Sequence, residues 1–371
     1  MKLPQVSWQT LDWAALDRLR DGFLAGEPTA KTYWTSLSDL ANYDFTFGER
    51  IAWKWDAVLA ELNERGWAPP TKEVFDWGCG SGVAGRRVIE WFDPEQFRRL
   101  RVFDRSALAM EFAQAKAREE FPALTVEAAN DLAEVERRPP ARRDSGEAAC
   151  REQSAGPEAG APSVGLLVVS HVQNELTEAA GRALRQVIDR AAAVLWVEPG
   201  TYADSRALIT MREDLREDFL LLAPCTHQCA CGMLAPENER HWCHHFAAPP
   251  PNVMADPKWV RFAQRAGIDL RSLPYSFLVL ERKGVRDPVP GLLPAGFSRV
   301  IGEPRLHKGF AKVFSCQEQG VRDVELPKRV APELLKGFER ATGPRVCRWE
   351  LNGQRVTHVE PFVPRLLETE L

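Results

Sequence analysis

The stretch Asp76-Trp77-Gly78-Cys79-Gly80-Ser81-Gly82 decides how the rest of the chain is read. It follows the short apolar run Val74–Trp77 and precedes an amphipathic stretch from Val83 to Trp91. A strand that runs through Gly-x-Gly-x-Gly into a helix turns sharply and lets its backbone approach a ligand closely, because glycine alone adopts left-handed dihedrals at no steric cost. Working outward, further apolar runs at Leu100–Phe103, Leu124–Val126, Val164–Val169 and Val194–Val197 alternate with helix-like segments at Ala107–Glu120 and Glu178–Arg190. Strand and helix in that alternation imply an α/β fold, a doubly wound parallel sheet covered on both faces.

The run Leu100–Phe103 ends in Asp104, about twenty residues beyond the turn, where such folds place a carboxylate against ribose hydroxyls. A dinucleotide fingerprint would put its last glycine one place beyond Gly82. The spacing, with Asp76 opening the loop, therefore favours S-adenosylmethionine over NAD and over a plain tight turn. The candidate cofactor residues are Asp76, Gly78, Cys79, Gly80 and Gly82, then Asp104 and Arg105, with Asn130 and Asp131 after the third strand. Ser170 and His171, after the fourth, sit where donor would meet acceptor. No catalytic residue can be named from the sequence.

Around this centre the chain divides into three parts. Residues 1–67 read as a helical N-terminal preface, with Leu16, Leu19 and Phe23, then Ile51, Trp55, Val58, Leu59 and Leu62 at helical spacing. Residues 68–283 hold the sheet, an insertion at 134–163 poor in large apolar residues and expected to be mobile, and a cysteine-rich loop at 223–250. That part is expected to contain a helix over about Ser205–Leu221, a short helix near Trp259–Ala266 and a strand at Ser276–Leu280. Residues 284–371 read as a small β-rich C-terminal appendage, where Asn352-Gly353 between Trp349-Glu350 and Arg355-Val356 signals a hairpin.

Bulk properties narrow the classes. Apolar residues make up 44% and charged residues 27% of the 371, with a net charge of −4, which argues against a nonspecific nucleic-acid coat. No run approaches the roughly 20 apolar residues of a membrane helix, so no membrane partner is expected. The N-terminal sequence, with Trp8, Asp12, Trp13 and Asp17, lacks the look of a leader, and a cytoplasmic location and a monomer are the expectations.

Eight cysteines in a reducing compartment call for a reason other than disulfides. Cys225, His227, Cys229, Cys231, His241, Cys243, His244 and His245 fall within 21 residues, a density that points to a metal or cluster site. Zinc could be held by this segment alone, whereas an iron–sulfur cluster wants four thiolates and often a distant one, for which Cys316 is the candidate. Cys150, inside the insertion, is expected to have no role.

Several stretches in order resemble one family: the turn Asp76–Gly82, Val197-Glu198-Pro199-Gly200-Thr201, Pro224-Cys225 with His227, Cys231 and Leu234, Trp242-Cys243-His244, Tyr275–Leu278, and Arg299 through Cys316. The chain is similar to the methyltransferase-like assembly factors of the mitochondrial small ribosomal subunit and their bacterial relatives. The resemblance covers about residues 73–330 and implies the S-adenosylmethionine methyltransferase fold with a structural [4Fe–4S] cluster on Cys225, Cys231, Cys243 and Cys316. The family's Cys-Pro-His-Asp is here Cys225-Thr226-His227-Gln228, and Cys229, otherwise a spare thiol, competes with Cys231 as second ligand.

The resemblance also implies a partner, the small ribosomal subunit or its rRNA. From Arg299 onward 13 Lys and Arg stand against 10 Asp and Glu, and Arg305, His307, Lys308, Lys328 and Arg329 are the candidate phosphate contacts. Three functions stay open: a methyltransferase acting on small-subunit rRNA, a non-catalytic assembly factor that keeps the pocket, and a zinc-stapled methyltransferase acting on another substrate.

Overall fold

A computed structural model describes residues 2–24, 33–129, 162–340 and 345–362. Asn130, Asp131, Cys150 and almost all of the 134–163 insertion lie outside the described residues.

Seven strands form the path of the main sheet: β1 (Glu73–Trp77), β2 (Arg99–Phe103), β3 (Thr125–Ala128), β4 (Val164–Ser170), β5 (Ala191–Pro199), β6 (Phe219–Ala223) and β8 (Leu273–Arg282), in the order β3-β2-β1-β4-β5-β8-β6. The short β7 (His245–Ala247) pairs with β8 off that path. β1 to β5 run parallel, and β8 is antiparallel to both β5 and β6. This is the S-adenosylmethionine methyltransferase-like fold, with a helical N-terminus and a β-rich C-terminal part.

The continuous apolar runs of the central strands are explained by burial on both faces. Leu166, Val168, Ala193, Leu195 and Val197 point into one core, with α3 (Glu49–Glu64), α4 (Val83–Trp91) and α5 (Ala107–Glu120). Their alternates Leu167, Val169, Val194 and Trp196 point into the other, with α6 (Glu178–Ile188) and α7 (Tyr202–Leu215). Side-chain oxygens satisfy the first free amides of several helices: Ser106 accepts from Ala109 N, Thr177 from Ala180 N and Thr201 from Asp204 N. The N-terminal helices α1 (Trp13–Leu24) and α2 (Leu37–Tyr43) lead into α3, whose Trp53, Trp55, Val58, Leu59 and Leu62 share the first core with the sheet.

Two expectations are corrected here. The helix expected to run to Leu221 stops at Leu215, and Phe219–Ala223 is strand β6, closing the sheet beside β8. The appendage is more than short β runs: β9 (Phe297–His307), β10 (Phe310–Gln317), β11 (Gly320–Pro327), β12 (Val346–Asn352) and β13 (Arg355–Pro361) make a closed barrel. The expected hairpin at Gly353 (φ +61°) joins β12 to β13, and α9 (Pro332–Glu339) places Leu334, Leu335 and Phe338 against the barrel core.

Because β8 is antiparallel, the chain leaves it at the edge of the sheet where the parallel strands begin. Residues 283–296 then run back, with Arg286 Nη2 donating to Ala68 O at 2.8 Å and Val289 against the first core. The barrel starts at the opposite edge, where Thr226 Oγ1 donates to Phe297 O at 2.7 Å. α8 (Pro257–Ala266) packs Phe262 against Leu16 of α1. Among the described residues no helix is long and apolar enough to cross a membrane.

Candidate functional site

The glycine turn is stitched to the end of β2. Gly78 N and Cys79 N both donate to Phe103 O, at 2.7 and 3.0 Å, and Gly80 N donates to Asp104 Oδ2 at 2.9 Å. Gly78, Gly80 and Gly82 all have left-handed φ, at +72°, +52° and +77°, which is why the sequence spends glycines there. Asp104 Oδ1 accepts from Ser106 N at 2.8 Å, so two backbone amides aim the carboxylate.

Above this turn lies a cavity of about 490 Å³. Gly78, Cys79, Gly80, Asp104, Arg105, Ser170 and His171, all expected from the sequence, line it. Asp76 and Gly82 do not. Asp76 lies beneath the turn, 1% exposed, where Oδ2 accepts from Gly85 N at 3.1 Å and Oδ1 has no partner among the described residues. Burial pushes its carboxyl up to about 7. Asp76 therefore supports the loop and does not face a ligand in this arrangement. Gly82 is the left-handed residue that starts α4, with Ala113 too close for a side chain.

Several lining residues carried no signal in the sequence. Phe23, Tyr33, Trp34, Tyr43 and Phe47 form an aromatic wall from the N-terminal region, and Arg50 and Lys54 of α3 bring two cations. Tyr33 OH donates to Glu175 Oε1 at 3.1 Å, and Arg105 Nη2 donates to Glu175 Oε2 at 3.0 Å, which closes one side. Lys54 Nζ lies 3.1 Å from His171 Nε2, and His171 Nδ1 lies 3.2 Å from Ser170 Oγ, which also accepts from Trp55 Nε1 at 3.0 Å. Burial brings Lys54 down to about 7 and holds His171 well below its ordinary value. A neutral His171 accepting at Nε2 and donating from Nδ1 satisfies all three contacts.

Behind Ser170 and His171 stands Glu198, fully buried. Its Oε1 accepts from Trp196 Nε1, Val172 N and Gln173 N at 2.6, 3.1 and 3.2 Å, while Oε2 has no partner among the described residues. Burial raises its carboxyl to about 8. The Glu-Pro-Gly stretch thus fixes the loop after β4. A wider recess of about 850 Å³, lined by Lys2, Gln5, Met110, Gln114 and Arg118 on the outside of α5, has none of this chemistry.

Cys225, Cys231, Cys243 and Cys316 line one small cavity of about 40 Å³. Cys225 follows β6, Cys231 precedes the turn Gly232–Leu234, Cys243 precedes β7, and Cys316 sits near the end of β10. Met233, Ile209 and Ile301 pack among them, and Arg212 and Arg299 line the same space. Cys316 Sγ lies 3.5 Å from His227 Nε2 and Cys243 Sγ 3.7 Å from His245 Nε2. Burial raises the Cys231 thiol to about 11 and pushes those of Cys243 and Cys316 up as well. Among the described residues no three His, Cys, Asp or Glu side chains are gathered around one metal ion, so neither the iron–sulfur nor the zinc expectation appears as a ready-made ligand set.

Residues 58–340 match the family described as mitochondrial small ribosomal subunit Rsm22, well over half of the chain. The chain belongs to the Rsm22 family. No curated protein matches it in sequence. Among solved structures it is similar to the magnesium protoporphyrin IX methyltransferase of Synechocystis with bound SAM, at 14% identity and TM-score 0.34 over 76% of this chain and 100% of that one. It is also similar to a precorrin-6y C5,15-methyltransferase from Geobacter metallireducens, at 10% identity and TM-score 0.33 over 62% of this chain and 87% of that one. A third is TrmK of M. capricolum with S-adenosylhomocysteine, at 7% identity and TM-score 0.31 over 60% and 68%. Likenesses this distant say nothing of substrate.

The Rsm22 match spans the glycine turn, the Glu198 loop and all four cavity cysteines, and stops before β12 and β13. The N-terminal aromatic wall of the pocket, Phe23 to Phe47, also lies outside the matched residues.

Proposed function

We propose that this Rsm22-family chain binds S-adenosylmethionine in the 490 Å³ cavity, carries a cysteine-ligated iron–sulfur cluster, and acts with the small ribosomal subunit or its rRNA. The observation that carries the first part is the convergence of the left-handed glycine turn, the amide-held Asp104 and the Ser170-His171 loop on one cavity. Asp104 would take the ribose hydroxyls, the aromatic wall the adenine, and Arg50 and Lys54 the amino-acid carboxylate. Arg50 Nε, buried with no partner among the described residues, suits that last role.

The cysteine cavity fits a multi-iron group better than one zinc ion. Zinc needs its ligands at about 2.3 Å from a single point, whereas a [4Fe–4S] cluster takes four thiolates spread around its core. Here four thiols line one space, and the buried guanidiniums of Arg212 and Arg299, each also paired with a carboxylate, line it with them and would offset thiolate charge. Cys225, Cys231, Cys243 and Cys316 would hold the group, with Cys316 tying the barrel to the sheet. The role is structural, since all four positions belong to the protein.

One feature favours the non-catalytic form of this reading over a methyltransferase. Both ring nitrogens of His171 are engaged, so His171 itself offers no free base at the position facing an acceptor. The test joins three measurements on anaerobically purified protein. S-adenosylhomocysteine titrated calorimetrically should bind the wild type and bind Asp104→Ala at least about tenfold more weakly, as expected when charge-assisted hydrogen bonds are lost. Iron and sulfide near four per chain should accompany brown colour and be lost in Cys243→Ser. Tritium from labelled S-adenosylmethionine should not enter small-subunit RNA. Equal affinity in Asp104→Ala refutes the pocket assignment, one zinc per chain refutes the cluster, and a labelled RNA refutes the non-catalytic form.

A further inference from the structure

The C-terminal barrel has an order that carries meaning. β9, β10 and β11 form an antiparallel meander, α9 follows β11, and the β12–β13 hairpin closes the barrel by pairing β12 with β9 and β13 parallel to β11. Counted from one to five, the strands run 1-2-3-5-4 and back to 1, with the helix between the third and fourth. That is the arrangement of the OB barrel, in which the face of strands two and three and the loops joining one to two and four to five receive oligonucleotides or oligosaccharides.

Both of those loops reach β11. Lys328 N, just past its end, donates to Gly309 O in the β9–β10 loop, and Glu325 N donates to Gln354 O in the β12–β13 loop, each at 2.8 Å. The loops therefore stand together at one end of the barrel. His307 and Phe310 are register partners there, and their rings stack at 4.7 Å with 12° between planes. Leu306 beside them is 45% exposed. Lys308, Lys328, Arg329 and Arg355 are exposed and form no ion pair among the described residues. The carboxylates nearby are already taken, Asp323 by Arg305 and Glu325 by Lys312.

We infer that this end of the barrel is a binding site for single-stranded RNA, with phosphates on Lys308, Lys328, Arg329 and Arg355 and a base stacked on the His307–Phe310 plane. Unpaired cations ask for a polyanion, and a flat stack of exposed His307 on half-buried Phe310 asks for an unpaired base, which a duplex or an acidic peptide does not offer. The inference rests on the proposed function only for the choice of RNA over DNA. It goes beyond the family match, which ends before β12 and β13.

The test uses the full chain and a fluorescent unstructured RNA about 12 nucleotides long, within the site size of such barrels. Anisotropy titrations over a range of salt should show binding by the wild type. Lys308→Glu/Lys328→Glu should weaken it by about tenfold or more and flatten the logarithmic salt slope by about 1 to 2. Phe310→Ala should weaken it on the order of tenfold with the slope unchanged. Urea denaturation and the far-ultraviolet circular dichroism spectrum, measured on each variant, show that the fold is kept. The inference is overturned if the wild type fails to bind, if both variants bind as it does, or if polyglutamate or an RNA duplex competes as well as the single strand. Failure to sediment with small subunits while this oligonucleotide binding persists would sink the ribosomal reading and leave the site in place.

Discussion

Replacing Gly78 by alanine tests whether the glycine turn is built as described. Gly78 sits at φ +72°, and an added Cβ would lie 2.6 Å from Val172 Cγ1. Two costs follow: left-handed backbone for an L-residue, about 1–2 kcal/mol, and overpacking, about 1–3 kcal/mol. Val172 cannot simply move away, because its amide is held by Glu198 Oε1 at 3.1 Å. Gly78→Ala should therefore lose about 2–5 kcal/mol. Val172→Ala alone should lose on the order of 2 kcal/mol through its cavity. In the double variant the clash is gone while the dihedral cost remains, so its loss should fall short of the sum by about 1–3 kcal/mol. Urea denaturation followed by tryptophan fluorescence gives the stabilities. Additivity within about 0.5 kcal/mol would mean the two side chains never meet, and the geometry of the turn would be wrong.

Three further outcomes are expected. Glu198, raised to about 8 from an ordinary 4.5, is protonated in the folded chain over a range where the unfolded chain is not, so its contribution to stability is lost as pH rises through that window. Glu198→Gln should remove this fall, gaining on the wild type with rising pH; parallel denaturation curves for the two across the window would refute it. Arg299, 2% exposed, meets Glu61 of α3 at 2.5 Å, and Arg65 meets the same carboxylate at 2.5 Å. Arg299→Met should cost on the order of 1–3 kcal/mol by chemical denaturation, since Arg65 still holds Glu61, whereas Glu61→Leu, which strands both buried guanidiniums, should cost about 3–5 kcal/mol; equal losses in the two would refute the shared carboxylate. Gly232→Ala would press a Cβ to 2.6 Å from Gly320 Cα and 2.8 Å from Val321 N, backbone that no rotamer change relieves. It should speed hydrogen exchange at the β10–β11 turn; an unchanged rate there would show that the cysteine loop does not bear on the barrel.

The parts legible in the sequence were those whose chemistry is local. Three glycines at fixed spacing had to be left-handed, Asp104 had to follow β2, and runs such as Val164–Val169 had to be strands buried on both faces. Phe219–Ala223 was not legible as a strand, because five apolar residues that follow α7 without glycine or proline continue a helical pattern as well as they start a strand. The pocket wall was hidden for another reason. Tyr33, Phe47, Arg50 and Lys54 look like any amphipathic helical surface, and only packing against the glycine turn makes them one side of a cavity. The barrel was read as loose β runs since its closure rests on pairings distant in sequence, Val346 with Arg299 and Glu325 with Arg355. Density marked the segment that holds Cys225, Cys231 and Cys243, while Cys316 joined them as a distant candidate and through the family resemblance, and their shared cavity depends on a strand of the barrel.

The segment 283–296 returns the chain from one edge of the sheet to the other before the barrel begins, and much of it is exposed. What seats the barrel is elsewhere: the Arg299–Glu61 pair, the Thr226–Phe297 bond, and Gly232 against Gly320. Connectivity and attachment are thus separate properties of this molecule. A protease that nicked the segment would leave two fragments still gripping one another, and the barrel could be grafted through a different tether, or swapped between relatives, without rebuilding the seat on which it rests.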